Sequence, residues 1–215
     1  MTVYWILLLI IAFIAYVVGS LDSIILASNF VFRRSLLRLG QGNVWISNFR
    51  RIYGVKGAIK LLLVETVKNL LPLLIGGWLM GIKEQALVGR AFAGFCLVMG
   101  RLYPVTYGFK GTEGFIAMVF SALCVDVSVG AAVAAVGAAV MWFTRYVPLG
   151  TMAGAFALIM ASLLVIDDRL AMVLCILIAV LVLFKHIPAA ARLLSGKAER
   201  LSFKEDISYK FDQKF

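Results

Sequence analysis

The sequence predicts an all-α integral membrane protein with seven transmembrane helices, its N-terminus outside the cell and its C-terminus in the cytoplasm. Of the 215 residues, 63% are hydrophobic and only 15% are charged, whereas soluble domains are roughly 45–50% apolar and about 25% charged. Apolar stretches of about 20 residues, long enough to span a bilayer as helices, follow one another with short polar breaks. The ~10-residue alternating segments of a membrane β-barrel are absent from the sequence. This composition excludes an ordinary soluble enzyme.

Polar or glycine-containing segments separate the seven predicted spans. The first lacks a basic N-terminal region and is longer than the apolar core of a signal peptide, so it is expected to be retained. The spans are expected at about Val3–Ala27, Gly57–Met80, Ala86–Tyr103, a short stretch between Gly114 and Asp126, Ser128–Phe143, Pro148–Ile166 and Leu170–Phe184. The domain organisation is therefore a transmembrane domain at residues 1–184 and a basic cytoplasmic tail at residues 185–215.

The positions of Lys and Arg predict the orientation. When alternate loops are assigned to opposite sides, one side receives only Lys83, Arg90 and Arg169. The other side receives the basic tail and Arg33, Arg34, Arg38, Arg50, Arg51, Lys56, Lys60, Arg101, Lys110 and Arg145. Because cytoplasmic loops carry the excess of basic residues, the richer side is expected to be cytoplasmic. Topology thus accounts for the net charge of +10, and no nucleic-acid partner is expected.

Metal and cofactor chemistry is not indicated by the sequence. The three cysteines, Cys96, Cys124 and Cys175, are widely spaced in apolar runs, and His186 is the one histidine. No Cys-x-x-Cys pair or Cys/His cluster with the spacing of metal ligands occurs. We therefore expect neither a metal site nor a disulfide, and no cofactor.

Three segments predicted to be cytoplasmic carry polar groups suited to an anion. Residues 39–51 combine amide, hydroxyl and guanidinium groups, although a loop whose arginines meet lipid headgroups, at ~1 kcal/mol each, fits these residues better when they are taken alone. The glycine-rich segment Tyr107–Gly114 precedes an apolar helix, where backbone N–H groups can approach an oxyanion; a simple inter-helix turn would look similar. His186 and Arg192 lie at the headgroup level, where a histidine is more often a surface residue than a base.

Two ionisable residues lie within the second predicted span. Glu65 and Lys68 are three positions apart and share a face of the helix. Charges at that depth face the bundle or a water-filled cavity and usually pair, so both a structural ion pair and a role in a site remain open. Asp22 follows Gly-Ser in the first span and is placed to join them from the cytoplasmic end.

These motifs resemble, in the same order along the chain, those of the bacterial acyl-phosphate:glycerol-3-phosphate acyltransferases, the PlsY family. The family's Ser-Gly-Asn-Pro-Gly-Ala-Thr-Asn-x-x-Arg corresponds to Gln41–Arg51, and its Asp-x-x-Lys-Gly corresponds to Glu65–Asn69. Its Gly-His-x-Phe-Pro and Phe-Lys-Gly-Gly-Lys-Gly correspond to Gly100–Pro104 and Phe109–Gly114. Its Thr-Arg-Tyr is intact at residues 144–146, and its His-Arg-x-Asn-Ile-x-Arg-Leu-x-x-Gly corresponds to residues 186–196.

The resemblance implies an acyltransferase of phospholipid synthesis in the bacterial cell membrane. In such a protein a cytoplasmic pocket holds glycerol 3-phosphate, a membrane-embedded acyl phosphate supplies the fatty chain, and attack by a glycerol hydroxyl gives lysophosphatidic acid. The implied catalytic residue is His186. The implied substrate-binding residues are Asn43, Ser47, Asn48, Arg51, Lys68, Lys110 and Arg192.

Among the departures of this chain from the family pattern, four replace groups that the resemblance places in the site. Gln41 replaces a serine, Arg101 a histidine, Glu113 a lysine and Ala189 an asparagine. Two functions therefore stay open. One is an acyltransferase that uses these substrates or altered ones; the other is an inactive homologue that binds lipid or serves as a structural or accessory subunit of a membrane complex.

Overall fold

The computed structural model describes residues 2–23, 46–112 and 114–195, and every regular element in these residues is helical. Seven α-helices and one short 3-10 helix, Val105–Tyr107, are present in this part of the chain. We number the α-helices α1 (Thr2–Ser20), α2 (Ile46–Gly81), α3 (Ala86–Leu102), α4 (Phe115–Val125), α5 (Val127–Thr144), α6 (Val147–Val165) and α7 (Arg169–Leu194).

Five of the described helices are long and apolar enough to cross a membrane. The qualifying segments are Val3–Ser20, Ala86–Tyr107, Val127–Thr144, Val147–Val165 and Arg169–Leu193. They correspond to the first, third, fifth, sixth and seventh predicted spans. Helix α4, in the place of the predicted short fourth span, is an apolar helix of 11 residues. The prediction of an all-helical protein with several apolar spans is confirmed.

Two helices extend into segments that were expected to be polar loop or tail. Helix α2 begins at Ile46, ten residues before the predicted end of the first cytoplasmic loop, and its backbone departs from helical geometry at Gly54 (φ 73°). Helix α7 continues past Phe184 to Leu194. The helix ends were predicted wrongly because the polar side chains in these segments were taken as the end of each helix. Lys, Arg, Leu and Ala are good helix formers whether or not a membrane surrounds them.

The described residues fall into two compact units. The first contains residues 2–21 and 66–195, and the second contains residues 22–23 and 46–65. In the first unit the consecutive helices α3 to α7 pack pairwise, α7 returns to pack on α3, and α1 packs on α3. Helix α3 is therefore central, and 56% of its span is buried, against 22–33% in the other four candidate spans. Its C-terminal end is consequently fixed inside the protein.

Aspartates start two of these helices. Asp126 precedes α5, and its carboxylate accepts hydrogen bonds from the backbone N–H groups of Ser128 and Val129. Asp168 precedes α7 and accepts one from the N–H of Ala171 at 2.9 Å. These caps satisfy N–H groups that have no partner within the helix. The Ser128 hydroxyl and the Val129 N–H lower the pKa of Asp126, because both hydrogen bonds favour the carboxylate.

Glycines allow α1 and α3 to touch along their backbones. A Cβ atom on Gly19 would overlap the carbonyl of Leu97, and one on Gly100 would overlap that of Tyr16 and lie 3.0 Å from the Ser20 nitrogen. Position 19 thus faces position 97, and positions 16–20 face position 100. These contacts lie at the C-terminal ends of both helices, and the two helices also pack on each other extensively. An antiparallel pair that met at its C-termini would overlap over only a few residues, so the two helices run in the same direction with their C-termini side by side.

We expect Gly19→Ala to destabilise the protein by ~1–3 kcal/mol, because the added methyl group meets backbone atoms that cannot move aside cheaply. Thermal unfolding in detergent measures the effect. Gly81→Ala is the matched control, since the nearest atom to its Cβ is the Ala86 side chain at 3.7 Å. A midpoint for Gly19→Ala equal to that of Gly81→Ala would contradict the close contact of α1 with α3.

Candidate functional site

The candidate site lies at the adjacent C-termini of α1 and α3. The last carbonyls of a helix have no partner within it and carry partial negative charge, which favours cations and other donors at that end. Here side chains distant in sequence supply four such donors. The hydrogen bonds run from Tyr16 Oη to the Tyr103 carbonyl (2.8 Å), from Thr106 Oγ1 to Ser20 (2.9 Å), from Lys185 Nζ to Leu102 (2.8 Å) and from Lys68 Nζ to Leu21 (2.7 Å).

The glycine-rich segment folds directly against the end of α3. A Cβ on Gly111 would lie 2.6 Å from the Leu102 carbonyl oxygen and 2.6 Å from the Pro104 ring, so only glycine fits at this contact. Gly108 and Gly114 have positive φ values of 59° and 71°, which glycine adopts without steric cost. The loop is thus pressed onto a residue, Leu102, that is fully buried.

Where this loop meets α4, polar groups lack side-chain partners among the described residues. Gly114 is the N-cap of α4 and has no side chain to cap the first-turn N–H groups. The hydroxyl oxygen of Thr112 is buried and has no hydrogen-bond partner among the described residues. A loop of this kind can bind an anion through its backbone N–H groups.

His186 is buried in α7, with only 2% of its surface exposed. Its Nδ1 lies 2.7 Å from the carbonyl oxygen of Val182. Because a carbonyl only accepts, Nδ1 must carry the hydrogen, and in the neutral ring Nε2 is left with a lone pair. Nε2 is buried without a hydrogen-bond partner in the described part of the chain. The alternative of an ordinary surface histidine is therefore wrong.

Leu102 contacts both the glycine-rich loop and the turn of α7 that carries His186. Gly111 packs against its carbonyl and Gly114 against its side chain, at 2.9 Å for an added Cβ. Lys185, the neighbour of His186, donates to the same carbonyl. The second and third predicted motifs, more than 70 residues apart in sequence, therefore meet at one residue of α3.

The remaining predicted substrate-binding residues are placed differently. Lys110 and Arg192 are exposed, and Lys68 is half-buried with its ammonium group on the Leu21 carbonyl. Ser47, Asn48 and Arg51 belong to the first turns of α2, in the second unit. Asn43 lies outside the described residues, as do Gln41 and Glu113 among the four replacements. Of the other two, Arg101 is 9% exposed and Ala189 is half-buried.

The acidic residue of the second predicted span is buried in the protein. Glu65 is 1% exposed and Asn69, one turn further along α2, is 2% exposed. Asp22 is also buried, at 5%. The prediction that Glu65 would not face lipid is confirmed.

Sequence reasoning missed the contributions of Lys185, Thr106 and Tyr16. All three donate to backbone carbonyls. Every residue has a carbonyl, so no pattern of side chains marks these acceptors. The one available signal was a lysine directly before the motif histidine.

Fold and site together define a polytopic helical membrane protein with a buried histidine and a glycine-rich loop at one end of the bundle. Residues 9–196 match the family model described as glycerol-3-phosphate acyltransferase. The chain belongs to this family, whose members of the PlsY type are multi-pass proteins of the bacterial membrane.

Individual relatives agree with this assignment. The chain is 27% identical over 196 residues to the glycerol-3-phosphate acyltransferase of Thermoanaerobacter pseudethanolicus, covering 91% of this chain and 96% of that protein. It is 38% identical over 104 residues to the enzyme of the same name from Pseudomonas aeruginosa, covering 48% of this chain and 52% of that protein.

Solved structures have the same fold. The crystal structure of PlsY in its lysophosphatidic acid form matches with a TM-score of 0.74 at 24% identity, covering 90% of this chain and 94% of that one. The glycerol 3-phosphate form matches with a TM-score of 0.73 at 25% identity, covering 91% and 96%.

Proposed function

We propose that this protein transfers an acyl group from an acyl phosphate to a hydroxyl group of glycerol 3-phosphate or a related anionic acceptor. Family membership supports the reaction class. The observation that carries the proposal for this chain is the buried Nε2 of His186, which has no hydrogen-bond partner among the described residues. His186 lies on the turn of α7 that meets the glycine-rich loop at Leu102.

In this proposal His186 accepts the proton of the attacking hydroxyl group. As the acceptor oxygen bonds to the acyl carbonyl carbon, Nε2 takes its proton, and the bond from that carbon to the phosphate oxygen then breaks. The imidazolium returns the proton to the departing phosphate, so atoms and charge balance. The Val182 carbonyl holds the opposite nitrogen and keeps the ring in the tautomer that this step needs.

Anion binding is assigned to the glycine-rich loop and to the basic residues. The backbone N–H groups at the start of α4 and the Lys110 side chain bind phosphate oxygens. The further proposed ligands are Arg192, Arg51, Asn43, Ser47 and Asn48. Lys68, whose ammonium group donates to the Leu21 carbonyl, is a further proposed ligand of the acceptor phosphate.

The four replacements support weak use of glycerol 3-phosphate by this chain. A carboxylate at position 113 repels phosphate where the family pattern has a lysine. They also favour a second candidate function, an inactive homologue that binds membrane lipid or serves as an accessory subunit of a membrane complex.

Phosphate release from an acyl phosphate tests the first function against the second. We expect the purified protein to release phosphate in a glycerol-3-phosphate-dependent manner, at a rate below the ~1–10³ s⁻¹ typical of enzymes. Release that is no faster than without protein would instead favour the second candidate.

We further propose seven spans, with the N-terminus outside and residues 185–215 as a cytoplasmic tail. The parallel course of α1 and α3 supports a membrane crossing by α2 between them. The excess of Lys and Arg in the loops of one side supports the orientation. On this topology the candidate site opens to the cytoplasm.

Cysteine labelling in intact cells tests the orientation. In a background with the three native cysteines replaced, we expect a membrane-impermeant thiol reagent to label Lys83→Cys and to spare Ser195→Cys, both at exposed positions. The reverse pattern would refute the orientation.

A further inference from the structure

The turn of α7 that carries His186 is weakened by a proline. Pro188 lies inside the helix. Because proline has no N–H group, the carbonyl of Phe184 loses its partner four residues along, and the ring crowds that carbonyl. Lys185 and His186 lie between these two positions. Helix α7 alone therefore holds His186 less firmly than an uninterrupted helix would.

Lys185 attaches this weakened turn to the core of the first unit. Its ammonium nitrogen is 2.8 Å from the Leu102 carbonyl oxygen and 4.6 Å from the centre of the Tyr103 ring. Leu102 is fully buried, and the Tyr103 carbonyl is itself bonded by Tyr16 of α1. The attachment point cannot move without disturbing the contact of α1 with α3.

We propose that Lys185 is a positioning residue for His186. By bonding the end of α3, it holds the proline-weakened turn so that Nδ1 of His186 stays on the Val182 carbonyl and Nε2 keeps its lone pair inside the site. The consequence for catalysis rests on the proposed function. The consequence for the tautomer does not.

The single histidine of the chain makes the tautomer directly measurable. With a histidine-free affinity tag and ¹⁵N-labelled histidine, NMR of the protein in lipid nanodiscs reports which ring nitrogen is protonated. We expect the wild type to show only the Nδ1–H form, and Lys185→Met to add the Nε2–H form or exchange between the two. Lys185→Arg, which keeps a cationic donor, should retain the wild-type signal. Lys83→Met, at an exposed turn, is the matched control.

Pro188→Ala provides the decisive comparison because it restores the missing N–H group. In that background Lys185→Met should leave the histidine signal unchanged, so the two substitutions are strongly non-additive. If acyl transfer is present, Lys185→Met should lower kcat ~10- to 10²-fold with little change in KM, and Pro188→Ala should recover most of the loss. Should Lys185→Met fail to fold, Tyr103→Leu removes one of its two contacts and should shift the tautomer in the same direction.

A folded Lys185→Met or Tyr103→Leu protein with the wild-type histidine signal would overturn the proposal. So would a changed signal that Pro188→Ala does not correct. A wild type that transfers no acyl group, but shows the expected tautomer response, supports the positioning role and contradicts only the proposed function.

Discussion

Replacing His186 with alanine is expected to lower the turnover number for acyl transfer by ~10²–10⁴-fold, the usual contribution of a positioned general base. The reason is the unshared lone pair of Nε2, which is the buried base that the described site offers to an attacking hydroxyl. KM for the acceptor should change little, because the proposed phosphate contacts come from the loop and the basic residues. Initial rates at saturating acyl phosphate measure both constants.

Phe184→Ala is the matched control for this substitution. Phe184 is on the same stretch of α7, two residues away, and its side chain is 64% exposed. It should keep wild-type turnover, and unfolding midpoints of both variants show whether either change disturbs the fold. Equal turnover in the wild type and His186→Ala would contradict the assigned role of the histidine.

Reversing the charge at position 113 is expected to lower KM for glycerol 3-phosphate by ~10–10²-fold. Unit charges ~4 Å apart interact by up to ~4 kcal/mol at an effective dielectric constant near 20, and salt and solvent reduce that value. Glu113→Lys removes a repulsion and adds an attraction, so Glu113→Gln should lie between it and the wild type. Turnover should not reach that of an ordinary enzyme, because Gln41, Arg101 and Ala189 remain.

Glu84→Lys gives the same change in net charge at an exposed turn between α2 and α3. Glu84→Lys should leave KM for glycerol 3-phosphate unchanged. A fall in KM for this variant would show that overall charge, and not position 113, controls acceptor binding. An equal fall in KM for both variants, or no fall for Glu113→Lys, would count against phosphate binding at the glycine-rich loop.

Much of the fold was predictable because membrane spans depend mainly on hydropathy, which can be read directly from the sequence. Long apolar runs gave the five spans that the structure has as apolar helices. The start of α2 at Ile46 and the continuation of α7 to Leu194 were not predictable in this way. Helix formation follows backbone hydrogen bonding and intrinsic propensity, which do not end where hydropathy falls.

The candidate site was predictable only in part. Motif comparison pointed to His186 and to the glycine-rich loop, and the structure brings both segments to Leu102. The burial of His186 and its tautomer depend on helix α7 continuing beyond Phe184 and on one particular backbone carbonyl. Both features arise from three-dimensional packing. The sequence around His186 has no distinctive pattern that would have predicted them.

Formation of lysophosphatidic acid by the purified wild-type protein tests the central claim most directly. Mass spectrometry of nanodisc samples given acyl phosphate and glycerol 3-phosphate measures the product, with His186→Ala and samples lacking acyl phosphate in parallel. The account predicts product in the wild type alone, at a low but acyl-phosphate-dependent rate. A folded wild-type protein that forms no more product than His186→Ala would contradict it.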